Sequence, residues 1–253
     1  MNKFHGNLTN IKLVTLYYAN NQRKYYERMF YNMANVTFED IKENKLINTL
    51  IERGDTVLKA IGYTEHSRAH AMKISTTAAS ILSTLGYSKE EIELARIAGY
   101  IHDIGNVVNR TDHAHSGALL AFDILKNLEM KPDDILTIVT AIGHHDENTG
   151  TAINPVSAAV ILADKSDVRR NRVRNRDFST FDIHDRVNYA VTSSQLDINN
   201  EGKEINLVLE IDNSISSIMD YFEIFLQRMI MCRRASELLG CRFRFTVNGV
   251  NIL

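Results

Sequence analysis

The chain has 253 residues, of which 44% are hydrophobic and 24% are charged, and its formal net charge is −2. This composition is ordinary for a globular protein, and the balanced charge excludes a global field that would attract nucleic acid or an acidic membrane. The two cysteines form no CxxC pair, and no stretch reads as a signal core or a membrane span, so we expect a reduced, cytoplasmic protein.

Apolar residues recur at helical spacing along the middle of the chain. The spacing predicts helices at about residues 66–85, 88–102, 117–128, 132–143 and 156–168. Gly86 stands where a C-cap glycine belongs, and Ser88 with Glu91 reads as a capping box. Asn154 and Pro155 form an N-cap and N1 pair before the last of these helices. We expect an N-terminal extension over residues 1–37, partly helical around 17–33, and an all-α domain over residues 38–190.

The pattern changes after about residue 190. Residues 191–199 and 205–211 alternate like strands, and residues 214–239 form a long amphipathic pattern that ends at Gly240. The tail from Cys241 alternates again, with Phe243 and Phe245 on one face. We therefore predict a small α+β domain over residues 191–253, an antiparallel sheet with one long helix. The fold class is mainly α, a helical bundle with this appendage, whose exposed sheet edge could pair two copies as a homodimer.

Imidazole and carboxylate side chains recur between residues 66 and 164, each at or near the end of a predicted helix. These groups are typical ligands of divalent metals. Two of them are adjacent, and adjacent side chains point about 100° apart on a regular helix, so both can reach one metal only where the helix ends or distorts. The set is large enough for a one- or two-metal hydrolytic site. Its members are His66, His102, Asp103, His113, His144, His145 and Asp164.

The order of these residues resembles the H…HD…D pattern of the HD-domain superfamily of metal-dependent phosphohydrolases. The match rests on His66, on the His102–Asp103 doublet in IHDIG and on Asp164 in ILADKSD. It covers roughly residues 38–175. The other three histidines resemble those of two-metal members: His113 in HAHSGA, and His144 and His145 in GHHDE.

The resemblance implies an all-α core and cleavage of a phosphomonoester or phosphodiester by metal-activated water. His102 and Asp103 would be the catalytic residues, and Asp103 would bridge two metals. One or two divalent ions are implied, among Mn, Fe, Co, Ni, Zn and Mg. Many relatives read HDIGK, with a lysine that can contact the scissile phosphate, whereas this chain has Asn106 at that position.

Five arginines stand between residues 169 and 176, just after Asp164. If the last helix continues, Arg169, Arg172 and Arg176 share one face. Because arginine suits bidentate phosphate contact, we predict that Arg169 and Arg172 bind a substrate phosphate and supply what Asn106 lacks. The alternative is a solvated basic helix that pairs with neighbouring carboxylates.

Three further side chains near these motifs have other interpretations. His70 lies one turn from His66 on the same face, where the family has an apolar residue, and we interpret it as a core or supporting residue. His115 is an alternative to His113. Asp146 either orients a ligand histidine or lies at a solvated helix end.

Three classes of function stay open. The first is a phosphohydrolase that acts on a nucleotide or a similar small phosphorylated molecule. The second is a regulatory module that binds a nucleotide at the metal site without turnover, which the missing lysine would permit. The third is an RNA- or DNA-processing hydrolase, which the arginine run favours and the net charge of −2 opposes.

Overall fold

The computed structural model of the protein describes residues 35–253. The predicted N-terminal extension lies outside the described residues, apart from residues 35–37. Within them the helices are α1 Phe38–Glu43, α2 Lys45–Ala60, α3 Arg68–Thr84, α4 Lys89–Ile101, α5 His113–Asn127, α6 Pro132–Gly143, α7 Pro155–Lys165, α8 Ile183–Ala190 and α9 Ile218–Leu238. The strands are β1 Val191–Asn199, β2 Glu204–Ile211, β3 Arg242–Val247 and β4 Val250–Asn251.

The helix ends near the predicted metal ligands follow from local sequence. Ser88 caps α4 by accepting from the backbone N–H of Glu91, and the Glu91 carboxylate accepts in return from the N–H of Ser88. Asn154 caps α7, with Pro155 in its first turn. Each such cap stabilises its helix by about 1 kcal/mol. α4 ends at Ile101, and a 3₁₀ turn follows at Ile104–Val107, so the His102–Asp103 doublet lies at a break in the helix.

Helix α7 lies at the centre of the helical part. Its residues from Val156 to Ala163 are all buried, and it contacts α3, α4, α6 and α9. A helix that is apolar on all sides is stable only inside a core. The chain therefore carries Asp164, at the carboxyl end of α7, into the interior of the molecule.

The mainly α fold with a C-terminal α+β appendage is confirmed, with one correction. The sheet has the order β1-β2-β3-β4, and its outer pairs are antiparallel, but β2 and β3 are parallel. Helix α9 connects β2 to β3 and returns the chain to the same end of the sheet, so the two strands run in one direction. Phe243 and Phe245 are buried on one face of β3, as the alternation predicts.

The same hydrophobic cluster continues from the helices into the sheet, where Leu207 and Phe245 join it. Within residues 35–253 no helix is long and apolar enough to cross a membrane.

Candidate metal centre

The carboxylate of Asp103 lies at the centre of a ring of imidazole groups. Its Oδ2 atom is 3.3 Å from Nε2 of His102 and 3.9 Å from Nε2 of His66. Its Oδ1 atom is 3.4 Å from Nε2 of His113 and 3.6 Å from Nε2 of His145. The structure thus brings together five of the residues that the sequence singles out, although they come from four separate segments of the chain.

Asp164 lies beside this ring, together with His70, which the sequence predicts as a core or supporting residue. Its Oδ1 atom is 3.5 Å from Nε2 of His70 and 3.6 Å from Nε2 of His102. Donor atoms of these three residues lie within 4.8 Å of one another, and so do those of His102, Asp103 and His145. His70 is fully buried, but its Nε2 atom faces the site and not the core.

The four ring histidines and His70 raise the question of which imidazole nitrogen is free to bind a metal, and for all five rings the answer is direct. Each Nδ1 lies within hydrogen-bond distance of a carbonyl or carboxylate oxygen. Because such an oxygen only accepts, Nδ1 carries a proton, and in the neutral ring Nε2 is the nitrogen with the lone pair. The pairs are His66 with Thr64 O, His70 with Asp167 Oδ2, His102 with Gly99 O, His113 with Arg110 O and His145 with Ile142 O.

This arrangement fits a divalent metal. Nε2 of His70 and Nε2 of His102 are buried and have no hydrogen-bond partner among the described residues. Nε2 of His113 lies 3.1 Å from Nε2 of His145, so two lone pairs face each other unless a cation lies between or beside them. Buried lone pairs without a donor cost free energy, and a metal ion would satisfy them.

The carboxylate of Asp103 has the charge that metal binding requires, whereas His102 must first lose a proton. Burial alone would raise the pKa of Asp103, but His102 and the other imidazoles hold it well below the usual range of a carboxyl. Burial lowers the pKa of His113 to about 4, so this ring is neutral at neutral pH. Burial acts in the same direction on His102, but the carboxylates of Asp103 and Asp164 outweigh it and raise its pKa to about 10. Metal binding to His102 must therefore displace a proton.

Two of the candidate histidines lie away from the ring. His144 contributes no donor atom to either ligand group and does not line the cavity beside Asp103. His144 directly follows α6, and it is the ring of the next residue, His145, that points toward Asp103. His115, the alternative to His113, is 57% exposed and lies 3.6 Å from Asp112.

The arginine run departs from its predicted conformation. α7 ends at Lys165 and Arg170–Arg172 form a 3₁₀ turn, so the predicted shared helical face is not formed. Arg169 donates from Nε and Nη2 to the two oxygens of Asp167, at 2.6 and 3.0 Å. Arg172 donates to the backbone carbonyls of Glu65 and Asp167, at 2.9 and 2.7 Å. Both arginines thus hold the loop that carries Asp167, and of the two only Arg172 also lines the cavity.

A second buried network joins the site to the C-terminal unit. Nζ of Lys165 lies 2.8 Å from Oδ2 of Asp164 and 2.5 Å from Oε2 of Glu147. Arg228 of α9 donates to Oε1 of Glu147 at 2.9 Å. Although burial alone would raise the pKa of Glu147, these two cations hold it well below its usual range. The sequence gives no signal for the contacts of Glu147, because Lys165 and Arg228 are distant from it along the chain.

A cavity of about 580 Å³ opens onto Asp103 and onto three of the four ring histidines, His66, His113 and His145. A space of this size suits a small molecule. Its walls come from the metal-ligand segments, from the loop before α5 and from α8 and α9, and they include Tyr63, Arg110, Arg172, His184, Phe225 and Arg228.

The family model of the HD domain matches residues 63–169. An uncharacterised protein of Methanocaldococcus jannaschii is 28% identical over 160 residues, which cover 54% of this chain and 61% of that protein. The match therefore spans less than two thirds of that relative. The crystal structure of a predicted HD superfamily hydrolase from an uncultured Thermotogales bacterium has 22% identity and a TM-score of 0.39, and the match covers 49% of this chain and 68% of that one.

Proposed function

We propose that the protein is a metal-dependent phosphohydrolase, because the HD-domain family model matches residues 63–169 of this chain. Its substrate would be a phosphomonoester or phosphodiester of a nucleotide or a related small molecule. The cavity has room for such a molecule, and it opens directly onto the candidate ligands.

One observation carries the proposal. The Nε2 atoms of five histidines point at one carboxylate, Asp103, whose two oxygens face different histidines. A bridging carboxylate of this kind is typical of two-metal hydrolytic sites. We assign His70, His102, Asp103 and Asp164 to a first ion, and His113 and His145 with Asp103 to a second. His66 borders the cavity beside Asp103, and we assign it as a further metal ligand.

The protein side chains would hold the substrate and the ions in a fixed geometry. A bound divalent metal would lower the pKa of water and neutralise charge on phosphate oxygens. Asp103, ionised and enclosed by imidazoles, would hold both ions at one place. The fixed Nδ1 hydrogen bonds would prevent the rings from turning away when the ions leave.

The test is metal content together with phosphate release. Protein purified without oxygen would be analysed by mass spectrometry for transition metals, with Asp103→Ala beside it and the exposed His115→Ala as a matched control. We expect about two equivalents in the wild type and the control, and loss in Asp103→Ala. Phosphate release from a panel of phosphate esters would then be measured with the metal found.

Two outcomes would contradict the proposal. A wild-type protein that neither contains nor takes up a divalent metal is not a metal-dependent hydrolase. A protein that holds metal and binds nucleotides but releases no phosphate is instead the regulatory binding module.

A further inference from the structure

The cavity contains four lysine or arginine side chains among the described residues, and three of them are committed to other partners. Lys165 lies between Asp164 and Glu147. Arg228 donates to Glu147, and Arg172 donates to two backbone carbonyls and lies 3.4 Å from Asp167. A lysine or arginine whose donors are already paired in this way has few left for a substrate anion.

Arg110 is the exception. Its Nη1 atom is 3.2 Å from the amide oxygen of Asn106, a neutral partner, and its nearest carboxylate oxygen is Oδ1 of Asp103 at 4.0 Å. The guanidinium lies over the ring of Tyr63, 5.4 Å from the ring centroid. It is thus held beside the candidate metal site with most of its hydrogen-bond donors free.

The position of Arg110 is fixed by the residues that build the site. Asn106 is buried, and its Nδ2 atom donates to the backbone carbonyl of Asp103 at 3.0 Å. Its Oδ1 atom accepts from Nη1 of Arg110. The carbonyl of Arg110 accepts from Nδ1 of His113 at 2.9 Å. Any movement of Arg110 is therefore coupled to Asp103 and to His113.

We propose that Arg110 binds the phosphate group of the substrate, and that the cavity accepts a single terminal phosphate. This inference rests on the proposed function. Asn106 stands where many HD proteins have a lysine, and here it serves to orient an arginine that takes the anion. An arginine can donate two parallel hydrogen bonds to phosphate, which a lysine cannot.

The restriction to one phosphate follows from the rest of the wall. Beyond Arg110 the cavity wall carries four aspartate carboxylates, and no described lysine or arginine lies within 4.0 Å of them. A second or third phosphate would meet these carboxylates and be repelled, whereas hydroxyl or amino groups could donate to them. The residues concerned are Asp112, Asp146, Asp182 and Asp185.

The test uses binding, so that it does not depend on turnover. Inorganic phosphate would be titrated into metal-loaded wild type, Arg110→Gln, Arg110→Lys and Arg176→Gln by calorimetry, and metal content would be measured on each sample. Arg176 is an exposed arginine outside the cavity and serves as the control. We expect Arg110→Gln to bind phosphate about 10- to 100-fold more weakly, with Arg110→Lys intermediate and Arg176→Gln unchanged.

A second titration tests the number of phosphates. AMP, ADP and ATP would be compared at constant free metal, and we expect AMP to bind at least as tightly as the other two. Affinity that rises with each added phosphate would overturn the restriction to one.

The outcomes separate the two proposals. If the wild type holds metal and binds phosphate, and Arg110→Gln binds it equally well or loses its metal, the role of Arg110 is wrong and the proposed function stands. If the wild type holds no metal, the proposed function fails and the role of Arg110 fails with it.

Discussion

The carboxylate of Asp167 accepts a hydrogen bond from Nδ1 of His70 at 2.8 Å, deep inside the molecule. This contact turns Nε2 of His70 toward Asp103 and Asp164. Burial alone would raise the pKa of Asp167, but His70 and Arg172 hold it well below its usual range, so the carboxylate stays ionised. An ionised partner on Nδ1 makes Nε2 a stronger metal donor.

We predict that Asp167→Asn weakens metal affinity about 10- to 100-fold, because the amide cannot hold His70 as the carboxylate does. His70→Gln should weaken it at least as much, because it removes a ligand. Both effects would be measured as dissociation constants for the metal found in the wild type. His144→Gln is the matched control and should keep wild-type affinity, since His144 lies outside both ligand groups. If His144→Gln loses metal and His70→Gln does not, our ligand assignment is wrong.

The position of the Asp103 carboxylate predicts how many metal ions each protein chain binds. Its Oδ1 atom faces His113 and His145, and its Oδ2 atom faces His102 and His66. We expect His145→Ala to lose about one of two metal equivalents, and Asp103→Ala to lose both, because Asp103 is the residue that we assign to both ions. Metal content per protein chain would be measured after gel filtration. Equal losses in the two variants would instead indicate a single ion.

The histidines show what the sequence could predict about the site. The order of motifs predicted His102, Asp103 and Asp164 together, because their segments are short and each lies at a helix end. The spacing of His66 and His70 places both rings on one helical face, but it cannot say which ring turns inward. That depends on Asp167, which is 97 residues away along the chain. The choice of His145 over His144 likewise depends on how α6 ends.

The fold was predicted where local periodicity decides it. Strand β1 has the predicted bounds, and the capping box at Ser88 is present. The pairing of β2 with β3 depends on where α9 returns the chain, which alternation alone does not determine. The arginine run was predicted as a helix because helical spacing was extended past Lys165. In the structure, contacts with the buried Asp167 hold it in another conformation.

Acid should destabilise the protein partly through Glu147. The pKa of this carboxyl is lowered in the folded protein, so its stabilising contribution is present above its unfolded pKa of about 4.3 and is lost as pH falls through the lower folded value. At pH 7 we expect Glu147→Gln to lose about 3 kcal/mol, because Lys165 and Arg228 lose a buried partner. The difference from wild type should shrink below about pH 4.

Urea unfolding at a series of pH values measures this effect. Glu201→Gln, at an exposed position in the turn between β1 and β2, is the matched control and should follow the wild type at every pH. A constant difference between Glu147→Gln and wild type from pH 7 to pH 3 would show that the ion pair does not account for the loss.

Gly105 lies in the 3₁₀ turn that follows the His102–Asp103 doublet, against the start of α5. A Cβ atom built there would overlap the backbone oxygen of His113 and lie 2.5 Å from the backbone nitrogen of Gly117. Because backbone atoms cannot rotate away, α5 would have to move, and His113 would move with it. We expect Gly105→Ala to cost about 3 kcal/mol of stability and to lower metal content.

Gly143 provides the matched control, because it also lies beside the site but has room for a side chain. A Cβ atom there would lie 3.7 Å from Cβ of Ala118, an ordinary contact. Gly143→Ala should keep the metal and gain about 0.5 kcal/mol, since alanine favours the helix. Thermal unfolding and metal analysis of the two variants would test both expectations. A Gly105→Ala protein that keeps wild-type stability and metal would mean that α5 is not packed this closely against the turn.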